Sequence, residues 1–196
     1  MLVVPRANSQ VDHLEPTESY FSSWSFMDVY HSKCRSILFN DLQKYFVIRV
    51  VVLPSFQKEY LLTIEKRNNS NSLVLREPSV KISNAPNVTI IKSVDKVIWI
   101  DSILSNSLKL VFKKMIFESN YIKVTNECEA DGIEYQFITF EKGFGQMAAR
   151  TWSCAESKRL KTLMEIVALL RSSCINNSLK IYRKTILDKC RILQAA

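Results

Sequence analysis

The sequence predicts one α+β domain, with an antiparallel sheet of about five to seven strands and two or three helices, the last two at the C-terminus. Two observations predict this class. Segments rich in β-branched and aromatic residues come mostly early in the 196-residue chain, and the clearest amphipathic helices come last. Strands and helices therefore do not alternate as they do in a parallel-sheet fold, and a chain of this length suits a single domain.

The N-terminal part divides into an arm and the start of the domain. Residues 1–18 are polar and contain two prolines, which predicts a flexible arm ahead of a domain over residues 19–196. Aromatic residues are dense from Tyr20 to Phe46. Within that stretch, Asp28–Asn40 predicts a helix with Cys34 on its apolar side.

The sheet is predicted from short runs of β-branched and aromatic residues separated by turn signals. The first three runs follow one another closely and favour an antiparallel meander, whose second turn falls in the polar segment Lys66–Ser72. Asp131-Gly132 is a turn signal before a later strand. The predicted strands are Tyr45–Leu53, Tyr60–Ile64, Leu73–Leu75, Val88–Ile91, Val97–Ile100 and one or two more between Tyr121 and Phe140, where residues alternate from Ile133 to Thr139.

Helical spacing of apolar residues returns after Asp101, a plausible N-cap, and continues to about Glu118. Ser157 caps a second segment that reaches Ser172 and carries Leu160, Leu163, Val167 and Leu170 on one face. The final residues, 176–196, predict a basic C-terminal helix with Leu179, Tyr182, Ile186 and Cys190 along one stripe.

The chain is basic, and the excess of charge lies mainly at its C-terminal end. The formal net charge is +8, and residues 151–196 hold nine basic and three acidic side chains. A basic segment of this kind binds nucleic acid, an anionic membrane surface or an acidic protein. Alternatively, it is a solvated helix face. The residues that would form a basic interaction surface are Lys180, Arg183, Lys184 and Arg191.

The sequence contains no recognisable catalytic constellation. Five cysteines lie far apart without a C-x-x-C pair, so that buried thiols and two disulfides with one free thiol both remain open. His31 lies three residues before Cys34, but nothing identifies the third group that a nucleophilic triad needs. An enzyme that uses Cys34 or Cys128 is the least favoured alternative.

Metal and cofactor sites are not predicted either. The acidic cluster Glu127-Cys128-Glu129 with Asp131 lacks the ligand spacing of a calcium loop. Gly143-Phe144-Gly145 lacks the third glycine and the parallel-strand setting of a dinucleotide loop.

Residues 131–170 carry a distinctive layout: Asp131-Gly132-Ile133-Glu134-Tyr135-Gln136-Phe137, then Thr151-Trp152-Ser153, then the helix from Ser157 to Leu170. This layout resembles one found in small uncharacterised bacterial proteins, some of them exported, in which a DG-x-x-Y-x-F strand leads to a TWS turn and an amphipathic helix. The family pattern often continues with proline after the serine, whereas Cys154 stands here. The resemblance implies no activity. By analogy with exported bacterial proteins of this size, it suggests an immunity or inhibitor partner.

We therefore expect a non-catalytic protein-binding module, immunity-like or inhibitor-like and of bacterial origin. The alternative is a protein that binds nucleic acid or an anionic surface through its basic C-terminal helix. Besides the basic residues, the aromatic residues Phe26 and Tyr30 are candidates for the interaction surface, whereas Trp24 is expected in the core. The sequence predicts a soluble chain without a membrane span, extracytoplasmic if the true start lies upstream and cytoplasmic otherwise.

Overall fold

The computed structural model describes residues 14–17, 28–67, 70–119, 132–141, 143–153 and 157–196. The helices are α1 (Asp28–Leu38), α2 (Ser102–Phe117), α3 (Lys158–Ile175) and α4 (Lys180–Ala195). The strands are β1 (Glu15–Thr17), β2 (Phe46–Pro54), β3 (Tyr60–Arg67), β4 (Ser70–Pro78), β5 (Ser93–Ile100), β6 (Ile133–Glu141) and β7 (Gly145–Trp152).

The seven strands of the described residues lie in one antiparallel sheet, in the order β1-β7-β6-β2-β3-β4-β5. The meander β2-β3-β4-β5 follows the chain, and the hairpin β6-β7 joins the other side of β2. The predicted α+β class and antiparallel sheet are therefore confirmed. The described residues contain four α-helices rather than two or three, and the last two are at the C-terminus as predicted.

Helices cover both faces of the sheet. The larger core forms where α2, α3 and α4 pack on one face, and a smaller core forms under α1 on the other. Strand β2 shows why its sequence is apolar throughout: Val50 and Val52 point into the larger core, and Val51 and Leu53 into the smaller one. Helix α4 packs mainly against α2 and α3, and therefore forms the outermost part of the helical layer.

Two of the long helices begin at side chains that cap them. Asp101 Oδ1 accepts a hydrogen bond from Leu104 N, and Ser157 Oγ accepts one from Leu160 N. Each oxygen satisfies one of the backbone N–H groups that a helix leaves free in its first turn. Both N-caps are where the sequence predicts them.

Three predictions of local structure were wrong. Residues 145–152 form strand β7, although only a loop and a turn were expected there. Val88–Ile90 is a short 3-10 turn rather than a strand, because the Asn87 side chain accepts a hydrogen bond from Thr89 N and starts a turn. The turn predicted over Lys66–Ser72 is shorter, since β3 reaches Arg67 and β4 starts at Ser70.

The predicted N-terminal arm, residues 1–18, lies mostly outside the described residues. Its described part is ordered: β1 pairs with β7, and Leu14 is completely buried in the larger core. Leu14, the first described residue, contributes an apolar side chain to the core. A prediction from the overall polarity of residues 1–18 does not detect this single contact.

Candidate interaction surfaces

Three of the four predicted basic residues share one exposed face of α4. At 100° per residue, Lys180, Lys184 and Arg191 lie within about 40° of one another around the helix axis. All three are exposed, while Ile186, Cys190 and Leu193 on the other side of α4 are buried. Arg191 also pairs with Asp188, one turn earlier. These three cations are called the basic row below.

The fourth predicted residue, Arg183, points elsewhere. Its guanidinium donates to both carboxylate oxygens of Asp101, at 2.8 Å from Nε and 3.2 Å from Nη2. The hydrogen bond from Arg183 lowers the pKa of Asp101 to about 2 against the opposing effect of burial, and the hydrogen bond from Leu104 N contributes further to the lowering. Arg183 thus fastens the start of α4 to the N-cap of α2, and its role is structural.

Helix α2, against which α4 packs, exposes a stripe of large apolar side chains. Ile103, Leu110 and Phe117 are seven residues apart and are 63%, 59% and 48% exposed. Phe144, in the β6-β7 turn, extends the stripe through an edge-on contact with the Phe117 ring at 6.4 Å. Single exposed apolar residues are normal on a surface, whereas several on one side of a helix favour an interaction site.

The stripe and the basic row lie on two helices that are joined at both ends. Arg183 joins the first turn of α4 to the start of α2, and Lys114 Nζ donates to Gln194 O at the other end of both helices. The two helices are therefore parallel, at the spacing of roughly 8–10 Å at which helices pack. The stripe (Ile103, Leu110, Phe117 and Phe144) and the basic row (Lys180, Lys184 and Arg191) together are called the α2–α4 face.

A groove of about 540 Å³ opens on the opposite side of the sheet, beside α1. It is lined by, among others, Tyr30, Lys33, Lys81, Glu134 and Trp152. Both lysines are engaged by the protein itself: Lys33 Nζ donates to Ala85 O at 3.0 Å, and Lys81 Nζ donates to Ser55 O. Both ammonium groups therefore stabilise loops of the protein itself by hydrogen bonds to backbone carbonyl groups.

Tyr30, a predicted interaction residue, is likewise held by a hydrogen bond within the protein. Its hydroxyl donates to Glu59 Oε1 at 3.0 Å, and Glu59, completely buried, also accepts from Ile82 N and Ser83 N. Burial, followed by the charge of nearby acidic groups, raises the pKa of Tyr30. Tyr30 therefore ties α1 to the 3-10 turn Ile82–Asn84, although one part of it lines the groove.

The Cys34 thiol lacks the environment of a nucleophile. It is completely buried, and burial raises its pKa to about 12, only partly offset by a hydrogen bond with Tyr30. A reactive thiol needs partial exposure and a lowered pKa. His31 lies one turn before Cys34 and its ring is 5.7 Å from that of Tyr30. Among the described cysteines, Cys174 and Cys190 are also free and buried.

Several sequence predictions lie outside the described residues: Trp24 and Phe26, Cys128, Cys154 and the acidic cluster around Glu127. Across the parts of the chain that the structure describes, no group of three or more metal-ligating side chains is present. In those same parts, none of the helices has both the length and the apolar character needed to cross a membrane.

The apolar stripe was missed at the level of sequence. Ile103 and Leu110 were counted with Leu104, Leu108 and Val111 as one helical pattern, but only the last three are buried. A spacing of seven residues does not separate the two sets, because the buried pairs Leu104 and Val111, and Leu108 and Met115, have the same spacing.

Comparisons of this chain with protein-family models, with curated proteins and with solved structures found no match. The functional interpretation therefore depends on the surfaces described above.

Proposed function

We propose that this protein is a non-catalytic protein-binding module, and that the α2–α4 face docks a partner helix whose apolar side is flanked by acidic residues. The observation that carries the proposal is the exposed stripe of α2 together with the basic row of α4, the helix that packs against it. An amphipathic partner helix can pack its own apolar face against side chains at this spacing.

The apolar stripe supplies the affinity. Full burial of one large aliphatic or aromatic side chain is worth about 1.5–3 kcal/mol. Since the stripe residues are roughly half exposed in the free protein, each contributes on the order of 1 kcal/mol when a partner covers it. The four stripe residues thus contribute on the order of 4 kcal/mol before the cost of association is subtracted, so that a short helix is expected to bind more weakly than micromolar.

The basic row supplies the selectivity. Lys180 and Lys184 form no ion pair within the described part of the chain, and Arg191 has only the exposed Asp188 as its partner. Cations at the rim of an apolar contact favour an acidic flank, disfavour a basic one and make association dependent on salt. A net charge of +8 acts in the same direction.

Within this class we favour an immunity-like or inhibitor-like role in a bacterium, in which the α2–α4 face covers a functional surface of another protein. The layout of residues 131–170 supports this role by analogy.

Two labelled peptides test the proposal directly. Both carry the same leucines at heptad positions, one with glutamate flanks and the other with lysine flanks, and fluorescence anisotropy measures their binding to the full chain. We expect the glutamate peptide to bind at least tenfold more tightly. Leu110→Asp is expected to lower its affinity by at least tenfold, since that change places a charge in the middle of the stripe.

The control is Ile90→Asp, which changes an isoleucine of similar exposure, 57%, in the layer of α1 on the other side of the sheet. This variant is expected to bind like the original protein. The double variant Lys184→Glu, Arg191→Glu should reverse the preference between the two peptides. Absence of binding, or equal losses in Leu110→Asp and Ile90→Asp, would contradict the proposal.

A second candidate function, binding of nucleic acid or an anionic surface, is favoured by the basic row alone. Three phosphate contacts limit the slope of log K against log salt to about −2.7 for duplex DNA. Anisotropy with labelled duplex DNA over a range of salt concentrations tests this candidate. Binding with a slope near that limit, lost in the triple variant Lys180→Glu, Lys184→Glu, Arg191→Glu, would favour it over protein binding.

A further inference from the structure

Strand β5 forms one edge of the sheet and has no neighbour on its outer side among the described residues. It is eight residues long, and its register with β4 continues without a shift from Pro78↔Ser93 to Asn71↔Ile100. A long and regular edge presents a row of free backbone N–H and C=O groups, which are ready to pair with another strand.

The two edges of the sheet differ in how they are protected. The opposite edge, β1, has three residues, one of them Pro16, and both features discourage pairing. Strand β5 has neither proline nor glycine, and it exposes Val94, Val97 and Trp99, the last of them 58%. Asp95 and Lys96 give β5 some protection, but its greater length and its exposed apolar side chains make it the less protected edge and favour a strand as its partner.

The sequence of β5 is suited to pairing with itself. Two antiparallel copies are related by a two-fold axis perpendicular to the sheet, so that one residue faces its own counterpart. An axis at Val97 places two valines opposite each other, Trp99 opposite Asp95, and Val94 opposite Ile100. An axis at Lys96 would instead place two ammonium groups opposite each other, which is unfavourable.

The charge of Asp95 does not disturb this arrangement. Arg76 of the neighbouring strand donates to both of its carboxylate oxygens, at 2.7 and 2.8 Å. The carboxylate is therefore balanced within its own copy before a second copy approaches. We infer that β5 pairs antiparallel with β5 of a second copy of this chain, centred on Val97, so that one sheet continues through a homodimer.

The dimer is expected to be weak. Its contact consists of one strand edge and three exposed apolar side chains, which is at the lower end of specific interface sizes, below about 1,200 Å². We therefore expect a dissociation constant on the order of micromolar to millimolar. The inference is independent of the proposed function, because the α2–α4 face contains no residue of β5.

Engineered cysteines give the sharpest test. In Val97→Cys, the two new thiols are on facing residues with Cα atoms about 4.5–5.5 Å apart, within the range that a disulfide bridges. In the control Val94→Cys, the two thiols are offset along the strands by roughly 20 Å. Under mild oxidation we expect Val97→Cys to form a covalent dimer, while Val94→Cys and the original protein remain monomeric on a denaturing gel.

Sedimentation equilibrium of the original protein complements the cross-linking. We expect the mean mass to rise with concentration up to on the order of 1 mM. Val97→Lys, which sets two charges opposite each other, should remain monomeric, and Val80→Lys, a change of an exposed valine outside β5, should dimerise normally. A monomer at every concentration, or cross-linking of Val94→Cys as fast as Val97→Cys, would overturn the inference. Pairing of β5 with a strand of a different protein would appear as the first of these outcomes.

Discussion

Replacing Asp101 tests how the helical layer is held together. One carboxylate has two tasks: Oδ1 caps α2 by accepting from Leu104 N at 3.0 Å, and both oxygens accept from Arg183 of α4. Asp101→Ala removes both interactions. Asp101→Asn preserves the cap, since asparagine is an equally good N-cap residue, but removes the negative charge that Arg183 needs.

The cap dominates the expected magnitude. Loss of an N-cap side chain costs about 1 kcal/mol of unfolding free energy. The ion pair adds less, because Asp101 and Arg183 are 40% and 39% exposed and water screens their attraction. For a chain of this size, about 1 kcal/mol corresponds to a decrease of roughly 2–4 °C in the melting temperature. We therefore expect a clear decrease for Asp101→Ala and a smaller one for Asp101→Asn.

The pH dependence of the stability follows from the lowered pKa of Asp101. The pKa of Asp101 falls from 3.8 to about 2 because the folded protein stabilises the carboxylate, chiefly through Arg183. A group whose pKa is lowered by folding stabilises the protein above the unfolded value and loses this effect as the pH falls through the folded value. The difference in stability between the original protein and Asp101→Asn should thus be constant above pH 3.8 and shrink towards about pH 2.

Urea and thermal denaturation, followed by circular dichroism across this pH range, measure both effects. Asp188→Asn is the matched control, because Asp188 also pairs with an arginine on the surface of α4 but caps no helix. The reasoning would be refuted by equal losses in Asp101→Ala and Asp101→Asn at neutral pH, since these would show that the cap contributes nothing. It would also be refuted by a pH-independent difference between the original protein and Asp101→Asn.

Two further predictions concern buried groups. Glu59→Gln leaves at least one of the donors Tyr30 OH, Ile82 N and Ser83 N without an acceptor, and should cost about 1–3 kcal/mol. Tyr30→Phe, which removes only one donor, should cost less, and urea denaturation ranks the two variants; the opposite order would contradict the geometry. Burial raises the pKa of Cys34, Cys174 and Cys190 to about 12 each, so these thiols should resist alkylation at pH 8 until the protein unfolds. Mass spectrometry of the labelled peptides checks this prediction, and native labelling of Cys34 would contradict the burial described here.

Sequence patterns predicted the elements whose apolar residues have a single periodicity. Helix α3 buries Leu160, Leu163, Val167 and Leu170 as its spacing requires. Strand β7 was not predictable in this way, because Gln146-Met-Ala-Ala-Arg150 has little strand preference of its own. Pairing with β6 makes it a strand, with Ala149 opposite Phe137 in the larger core.

The candidate surface was predictable only in part, for a similar reason. Periodicity places Lys180, Lys184 and Arg191 on one side of α4, and the apolar stripe of the helix shows that this side faces outward. The role of Arg183 could be recognised only from the fold, because its partner Asp101 is 82 residues away along the chain. Helix α2 is apolar on most of its circumference, so that the positions of the sheet and of α4 decide which of its residues remain exposed.

The contacts that hold α4 in place also determine what the α2–α4 face presents. Arg183 and Lys114 connect the two helices at opposite ends, and Ile186 and Cys190 anchor α4 between them. The distance between the stripe and the basic row is therefore set before a partner arrives, and little ordering remains to be done on binding.

Loosening the Asp101–Arg183 contact should accordingly reduce the preference for an acidic over a basic peptide more than it reduces the affinity for the apolar positions themselves. The Asp101→Asn variant, with α2 still capped, separates these two effects in the same anisotropy assay. An unchanged preference would show that the basic row does not depend on this contact for its position.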